Sequence, residues 1–164
     1  MAQVEQPRPR PRIFNAPFET GLRSVVILTA AYPDALGLTR LVIFDHLIVH
    51  SEDVGGPPSM HPKDRSRAAE ILVRRRLVDS GLALMQTRGL VARILTSEGF
   101  RYRAGEEAGS FVDMLSSTYM KALKERAIWL IEQIQPMSDE DLPGLVQTRM
   151  DEWEPEFVSH GQGF

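Results

Sequence analysis

The chain has 164 residues, a formal net charge of −3 and 43% hydrophobic residues, an ordinary globular composition that argues against a largely disordered protein. It contains no cysteine, which excludes disulfides, thiolate nucleophiles and cysteine-ligated metal sites. No run of residues approaches the roughly 18 to 20 uncharged apolar residues of a membrane-spanning helix, and residues 1–12 lack the apolar run of a secretory signal. We therefore expect a cytoplasmic protein with no membrane segment.

The charges are distributed unevenly along the chain. Residues 1–61 carry five basic and six acidic side chains, residues 62–103 carry ten and four, and residues 104–164 carry four and twelve. A basic middle beside an acidic C-terminal third indicates two surfaces that face different partners. Charged faces that contact only water would give the same distribution.

The first elements in chain order are a tail and three helices. Alternating proline and arginine predict a disordered, extended tail over residues 1–13. Asn15 is the expected N-cap of the first helix, and Pro33 ends that helix. The three helices are predicted over Pro17–Ala31, over Leu41–His50, and from Asp64 or Ser66 to about Arg88, where Gly89 is the expected C-terminal glycine.

A β-hairpin and a long helix are predicted next. Two short β-like runs, Leu90–Thr96 and Gly99–Arg103, flank a two-residue turn. Apolar residues spaced three and four apart from Glu106 to Ile134 predict one helix of about 29 residues, or roughly 43 Å, which is longer than a compact domain of this size needs. An acidic run after Pro136 predicts a last short helix that ends near Trp153.

Three helices followed by a hairpin are the order of a winged helix-turn-helix. The predicted fold class is therefore mainly α, with a winged helix-turn-helix-like core, a β-hairpin wing and a long C-terminal helix. The predicted organisation is a disordered Pro/Arg tail over 1–13, a winged-helix-like domain over 14–104, a partner-binding helix over 105–135, and an acidic C-terminal helix and tail over 136–164.

Six arginines form the candidate surface for nucleic acid or an acidic partner. They lie on or before the third helix, where a recognition helix enters the major groove, and on the hairpin, where a wing contacts phosphates: Arg67, Arg74, Arg75, Arg93, Arg101 and Arg103. Successive helical residues point about 100° apart. At least one arginine of the run 74–76 is therefore expected to pair with Glu70 or Asp79 instead of facing a partner.

Five apolar residues of the C-terminal third are the candidate partner-binding residues. They are Phe111, Leu115, Tyr119, Trp129 and Trp153. On a helix that is too long for its own domain, such side chains are expected to be covered by another chain. The alternative is that they belong to the core.

Catalytic patterns are weak in this sequence. His46 and His50 share a helix face, but the zinc-protease pattern needs a glutamate directly after the first histidine, and Leu47 stands there. A third metal ligand would have to be Asp45, His61 or a remote carboxylate. No phosphate-binding loop and no Gly-x-Ser-x-Gly pattern is present. We therefore predict no catalytic residue, no metal and no cofactor, and a metal-dependent hydrolase is the least favoured alternative.

Several short segments in a fixed order resemble one known family. They are Phe14–Arg23, Asp45–Ser51, Pro57–Pro62, Leu72–Arg75 and Arg88–Val91. In this order they resemble the small middle-component proteins of ABC-three-component systems, bacterial conflict operons related to the Lamassu defence systems. The resemblance covers about residues 14–136. Four residues match the family pattern: His50, His61, Arg74 and Arg75.

The resemblance implies a winged-helix adaptor without catalysis of its own. Such an adaptor would work beside a large coiled-coil ATPase similar to Rad50 or SMC proteins and an effector that is often a nuclease. The six candidate arginines add double-stranded DNA as a further expected contact within the complex. We expect a non-enzymatic adaptor that bridges the ATPase and the effector in an anti-phage or anti-plasmid complex. The runner-up is a homodimeric winged-helix transcription regulator that dimerises through Glu106–Ile134 and reads DNA with the third helix.

Overall fold

The computed structural model of the chain describes residues 16–62 and 67–145, with the side chains of 67–72 excepted. Five α-helices and three strands occur in these residues: α1 (Pro17–Ala31), β1 (Leu36–Gly37), α2 (Leu38–Val49), α3 (Arg67–Thr87), β2 (Val91–Thr96), β3 (Gly99–Ala104), α4 (Ala108–Asp113) and α5 (Thr118–Gln133). A 3₁₀ turn covers Ser51–Val54, and a helical turn covers residues 142–145. The chain is mainly helical, as predicted.

The strands form one small antiparallel sheet in the order β1-β3-β2. The hairpin pairs β2 with β3 from Val91↔Ala104 to Thr96↔Gly99, which confirms the predicted hairpin. The short strand β1 pairs with the other side of β3, with Leu36 opposite Tyr102. β1 has only two residues, too few for an alternating pattern, so the sequence did not predict it.

Helices α1 and α2 form the centre of the core. Ile27, Leu28 and Phe44 are fully buried, and Leu82 of α3 and Leu123 of α5 pack in the same cluster. Helix α1 crosses α3 at Gly21 and Gly81, where backbone meets backbone. The first helix has the predicted bounds, although its N-cap is Ala16 and not Asn15. Helix α2 begins at Leu38, three residues before the predicted start.

The single long helix predicted over Glu106–Ile134 is wrong. Helix α4 ends at Asp113, and α5 begins after Ser117, whose backbone is extended and whose hydroxyl accepts a hydrogen bond from Met120 N at 3.2 Å. Serine favours this capping geometry over a helix interior. Both helices bury their apolar faces, so the three- and four-residue spacing continues across the break and conceals it in the sequence.

Of the remaining boundary predictions, one is confirmed and the others lie outside the described residues. Gly89 has φ 71° and its N–H bonds to Gln86 O, so the predicted C-terminal glycine of the third helix is confirmed. The tail 1–13, the caps Asp64 and Ser66, and Trp153 lie outside the described residues. Over the described ranges, no helix combines the length and the apolarity needed to cross a membrane.

Candidate functional site

A buried ion core joins the first three helices. Asp45, on the mainly apolar α2, is fully buried and lies between Arg23 of α1 and Arg74 of α3. Arg23 donates from Nε to Asp45 Oδ1 at 2.7 Å and from Nη2 to Oδ2 at 3.2 Å. Arg74 Nη1 donates to the same carboxylate and to the Asp45 carbonyl oxygen at 3.1 Å. One carboxylate therefore ties three helices together.

The charges of this ion core compensate one another. Burial acts to raise the pKa of Asp45, but the two adjacent guanidinium groups outweigh burial and hold this pKa below its ordinary value. Burial likewise acts to lower the pKa of Arg23, and the Asp45 carboxylate reverses that effect and raises it. Asp45 and Arg23 are therefore charged in the folded protein, and removal of one partner of the ion core leaves a buried charge uncompensated.

A row of histidines adjoins the ion core. His46 Nε2 lies 3.2 Å from Asp53 Oδ2, and the His46 and His50 ring centroids are 4.6 Å apart. The His50 and His61 rings meet edge to face at 6.2 Å. His61 Nε2 lies 3.0 Å from the Tyr119 hydroxyl, which is also hydrogen-bonded to Arg23. The row thus leads back to the ion core through α5.

His50 is the most perturbed member of this row. Burial, with His46 and Arg74 nearby, lowers its pKa from 6.5 to about 3. Its Nδ1 is buried and has no hydrogen-bond partner among the described residues. His50 is therefore neutral at physiological pH.

The histidine row does not form a metal centre within the described residues. No group of three His, Asp or Glu side chains among them is arranged to hold a metal ion. The His46 and His50 rings are tilted by 31° against each other, with Asp53 as the hydrogen-bonding partner of His46. The metal-dependent hydrolase therefore gains no support from this geometry.

The six predicted contact arginines do not form one surface. Arg74 is 6% exposed and belongs to the ion core, so the prediction that it faces a partner is wrong. Arg101 pairs with Glu98 at 2.6 Å and lies 3.8 Å from Asp139. Arg75, Arg93 and Arg103 are exposed. The Arg67 side chain lies outside the described residues. Arg74 points inward because α2 places Asp45 opposite it, a relation that the sequence alone does not contain.

The predicted partner-binding residues face the protein's own core. Phe111, Leu115, Tyr119 and Trp129 all pack against the hydrophobic cluster. The Trp129 indole contacts the backbone of Gly56 in the loop after α2. These side chains are half-buried, so the chain itself covers them only in part. Their packing favours the interpretation that they belong to the core, and partner binding through them stays a prediction. Trp153 lies outside the described residues.

Sequence reasoning missed Arg23 and Arg40 as structural residues. Arg40 is 8% exposed and donates to Asp139 Oδ1 at 2.7 Å, to Gln135 O and Oε1 at 2.9 Å, and to Met137 O at 2.5 Å. It thereby holds the turn after α5 against α2. The available signal was that each arginine lies in a mainly apolar helix, where a charged residue that becomes buried needs a partner.

Four of the five segments on which the family resemblance was based meet at the ion core and the histidine row. Thr20 and Arg23 come from the first segment, His50 from the second, His61 from the third, and Arg74 from the fourth. A family model described as ABC-three component (ABC-3C) system Middle Component 2 matches residues 13–156. No curated protein and no solved structure gives a significant match to the chain.

Proposed function

The chain belongs to the ABC-three-component system middle component 2 family, and from this premise we propose that it is a non-enzymatic adaptor of an anti-phage or anti-plasmid defence complex. In this proposal it bridges an SMC/Rad50-like ABC ATPase and an effector. The observation that carries the proposal is the family match over residues 13–156, which includes all described residues. Membership makes the chain one component of a multi-component system.

The distribution of apolar and charged side chains supports an adaptor. The ion core uses Arg23, Asp45 and Arg74 to fix three helices, which suits a rigid support. Large apolar side chains are exposed on the hairpin, where Leu95 is 73% and Phe100 is 52% exposed. Uncovered apolar surface of this kind is typical of a protein-binding site.

A winged-helix assignment for the part before α4 is included in the proposal. The order α1, β1, α2, α3, β2, β3 supports it, and so does the sheet order β1-β3-β2, in which the strand between the first two helices pairs with the hairpin. In this interpretation β2 and β3 form the wing.

The transcription regulator is the second candidate. Arg75 and Arg76 are exposed on α3, which favours a contact with DNA phosphates. However, dimerisation was expected through one long helix over Glu106–Ile134, and that segment is two helices, most of whose apolar residues pack against the chain's own core. The adaptor is therefore the better supported of the two.

Co-expression with the ATPase and the effector of the same operon tests the proposal. Size exclusion with light scattering is expected to show one complex of all three proteins, and omission of this chain is expected to separate the other two. The adaptor proposal fails if the chain elutes alone while the ATPase binds the effector without it. The regulator is favoured if the chain alone discriminates DNA sequences by about 1–3 kcal/mol per wrong base pair.

A further inference from the structure

The outer half of the hairpin carries an apolar pair, Leu95 and Phe100, that the described residues leave largely exposed. Along the hairpin face that carries this pair, the cross-strand pairs are Val91↔Ala104, Arg93↔Tyr102 and Leu95↔Phe100. The first of these pairs is buried, and so is Tyr102. The last pair extends past the core, with Leu95 73% and Phe100 52% exposed. The inner end of this hairpin face is therefore buried in the protein, and its outer end, with Leu95 and Phe100, is exposed to solvent.

Arg93 adds a positive charge to the exposed half of this face. Its guanidinium carbon lies 4.3 Å from the centroid of the Phe100 ring, within the range of a cation–π contact. The side chain is exposed, and the described residues provide it with no ion pair within 4 Å. We call Arg93, Leu95 and Phe100 the hairpin patch.

We propose that the hairpin patch is the docking site for an acidic, apolar segment of another subunit of the same complex. The proposal rests on the adaptor function and names the surface that performs it. An apolar side chain of the segment would cover Leu95 and Phe100, and a neighbouring carboxylate would pair with Arg93. Burial of an aromatic ring beside an arginine is typical of the residues that dominate interface energies.

The opposite face of the hairpin does not have these properties. There Arg103 is opposite Ala92, and Arg101 is opposite Ile94. The charge of Arg101 is compensated by Glu98 at 2.6 Å. The exposed apolar pair lies only on the hairpin patch side, which favours a protein segment, because a phosphate backbone gives no reason for exposed leucine and phenylalanine.

The first experiment removes the apolar pair. The double variant Leu95→Ser/Phe100→Ser is expected to weaken binding to one subunit, the ATPase or the effector, at least about tenfold in Kd. The control is Met114→Ser/Ile128→Ser, because Met114 is 80% and Ile128 is 51% exposed and both lie outside the hairpin. The control is expected to bind like the wild-type chain, and the melting temperatures of both variants show whether the fold is kept.

The second experiment reverses one charge on each face. Arg93→Glu and Arg103→Glu make the same change in net charge on adjacent strands, but only Arg93 lies on the hairpin patch. Arg93→Glu is expected to weaken binding and to reduce its salt dependence, because a charge pair across the interface is lost. Arg103→Glu is expected to leave both unchanged.

Each outcome decides between the two proposals. If the wild-type chain binds neither subunit, both the adaptor function and the hairpin patch are refuted. If the wild-type chain binds and the Leu95→Ser/Phe100→Ser variant binds equally well, the hairpin patch alone is refuted. The same holds if Arg93→Glu and Arg103→Glu lose only affinity for random duplex DNA, since the hairpin would then be a DNA surface.

Discussion

Replacement of Gly81 by alanine separates helix propensity from packing. Gly81 is an interior residue of α3, where alanine is favoured over glycine by about 1 kcal/mol. However, a Cβ at this position would lie 2.6 Å from Gly21 N and 2.7 Å from Pro17 O. Both atoms belong to the backbone of α1, so the contact is relieved only when the two helices move apart.

The expected net effect of Gly81→Ala is a loss of stability. Overpacking costs about 1–3 kcal/mol, and occasionally more, so after the propensity gain we expect a loss of up to about 2 kcal/mol. For a chain of this length, that corresponds to a decrease in Tm of up to about 8 °C. Urea and thermal unfolding followed by circular dichroism measure the change.

A second helical glycine provides the control for this experiment. Gly109 lies in α4, and a Cβ there would meet no atom within 4 Å. Gly109→Ala is therefore expected to be neutral or to stabilise by up to about 1 kcal/mol. A Gly81→Ala variant as stable as the wild-type chain, or more stable, would show that the crossing of α1 and α3 is looser than described.

Three further predictions concern buried charged or titratable side chains. Arg74→Glu is expected to destabilise the fold by about 3–5 kcal/mol, because it places a like charge beside the buried Asp45. Replacement of the exposed neighbour, Arg75→Glu, is expected to change the free energy of unfolding by less than about 0.5 kcal/mol. Equal effects of the two variants in urea unfolding would contradict the ion core. The pKa of His50 in the folded protein, about 3, is below its ordinary 6.5. The contribution of His50 to the free energy of unfolding is therefore fully present above pH 6.5 and decreases toward pH 3 by up to about 1.4 kcal/mol per pH unit. Urea unfolding at several pH values between 7 and 4 measures this slope, and His50→Gln is expected to reduce it. Arg40→Met is expected to loosen the turn after α5, so that amide exchange in residues 135–142 becomes faster while α1 remains protected; unchanged exchange would refute this role.

The helices and the hairpin could be predicted because their signals are local. The spacing of apolar residues predicted the first and last residues of α1 correctly. Gly89 indicated the end of α3, because a helix often ends at a residue with positive φ, which glycine favours. The break before α5 could not be predicted from the same spacing, because α4 and α5 bury faces that are in phase along the sequence. The local signal was the run Ser116–Thr118, in which Ser117 is the cap, and such a signal is outweighed by a long apolar pattern.

The candidate site was less predictable because its contacts are distant in sequence. Arg74 and Arg75 are neighbours, yet one is buried and the other is exposed. Their directions differ by about 100° on the helix, but which of them meets Asp45 depends on how α2 packs against α3. The sequence predicts that at least one arginine of the run 74–76 pairs with an acidic side chain. The predicted partners were Glu70 and Asp79 on the same helix, because residue spacing along the sequence reveals only the pairs within one helix.

The ion core and the hairpin patch are connected through α3. A buried ion pair adds little net stability, but it is costly to break, so the arrangement that satisfies Asp45 is strongly preferred over arrangements that leave one charge unpaired. Arg74 fixes α3 against α1 and α2, and α3 leads into β2 through the turn at Gly89, whose neighbour Leu90 donates to Met85 O at 3.0 Å. The direction of the hairpin is thus set by the helices behind it. A rigidly held apolar face loses less conformational entropy on binding than a mobile one. In the proposed docking, the buried charges would therefore strengthen partner binding without touching the partner.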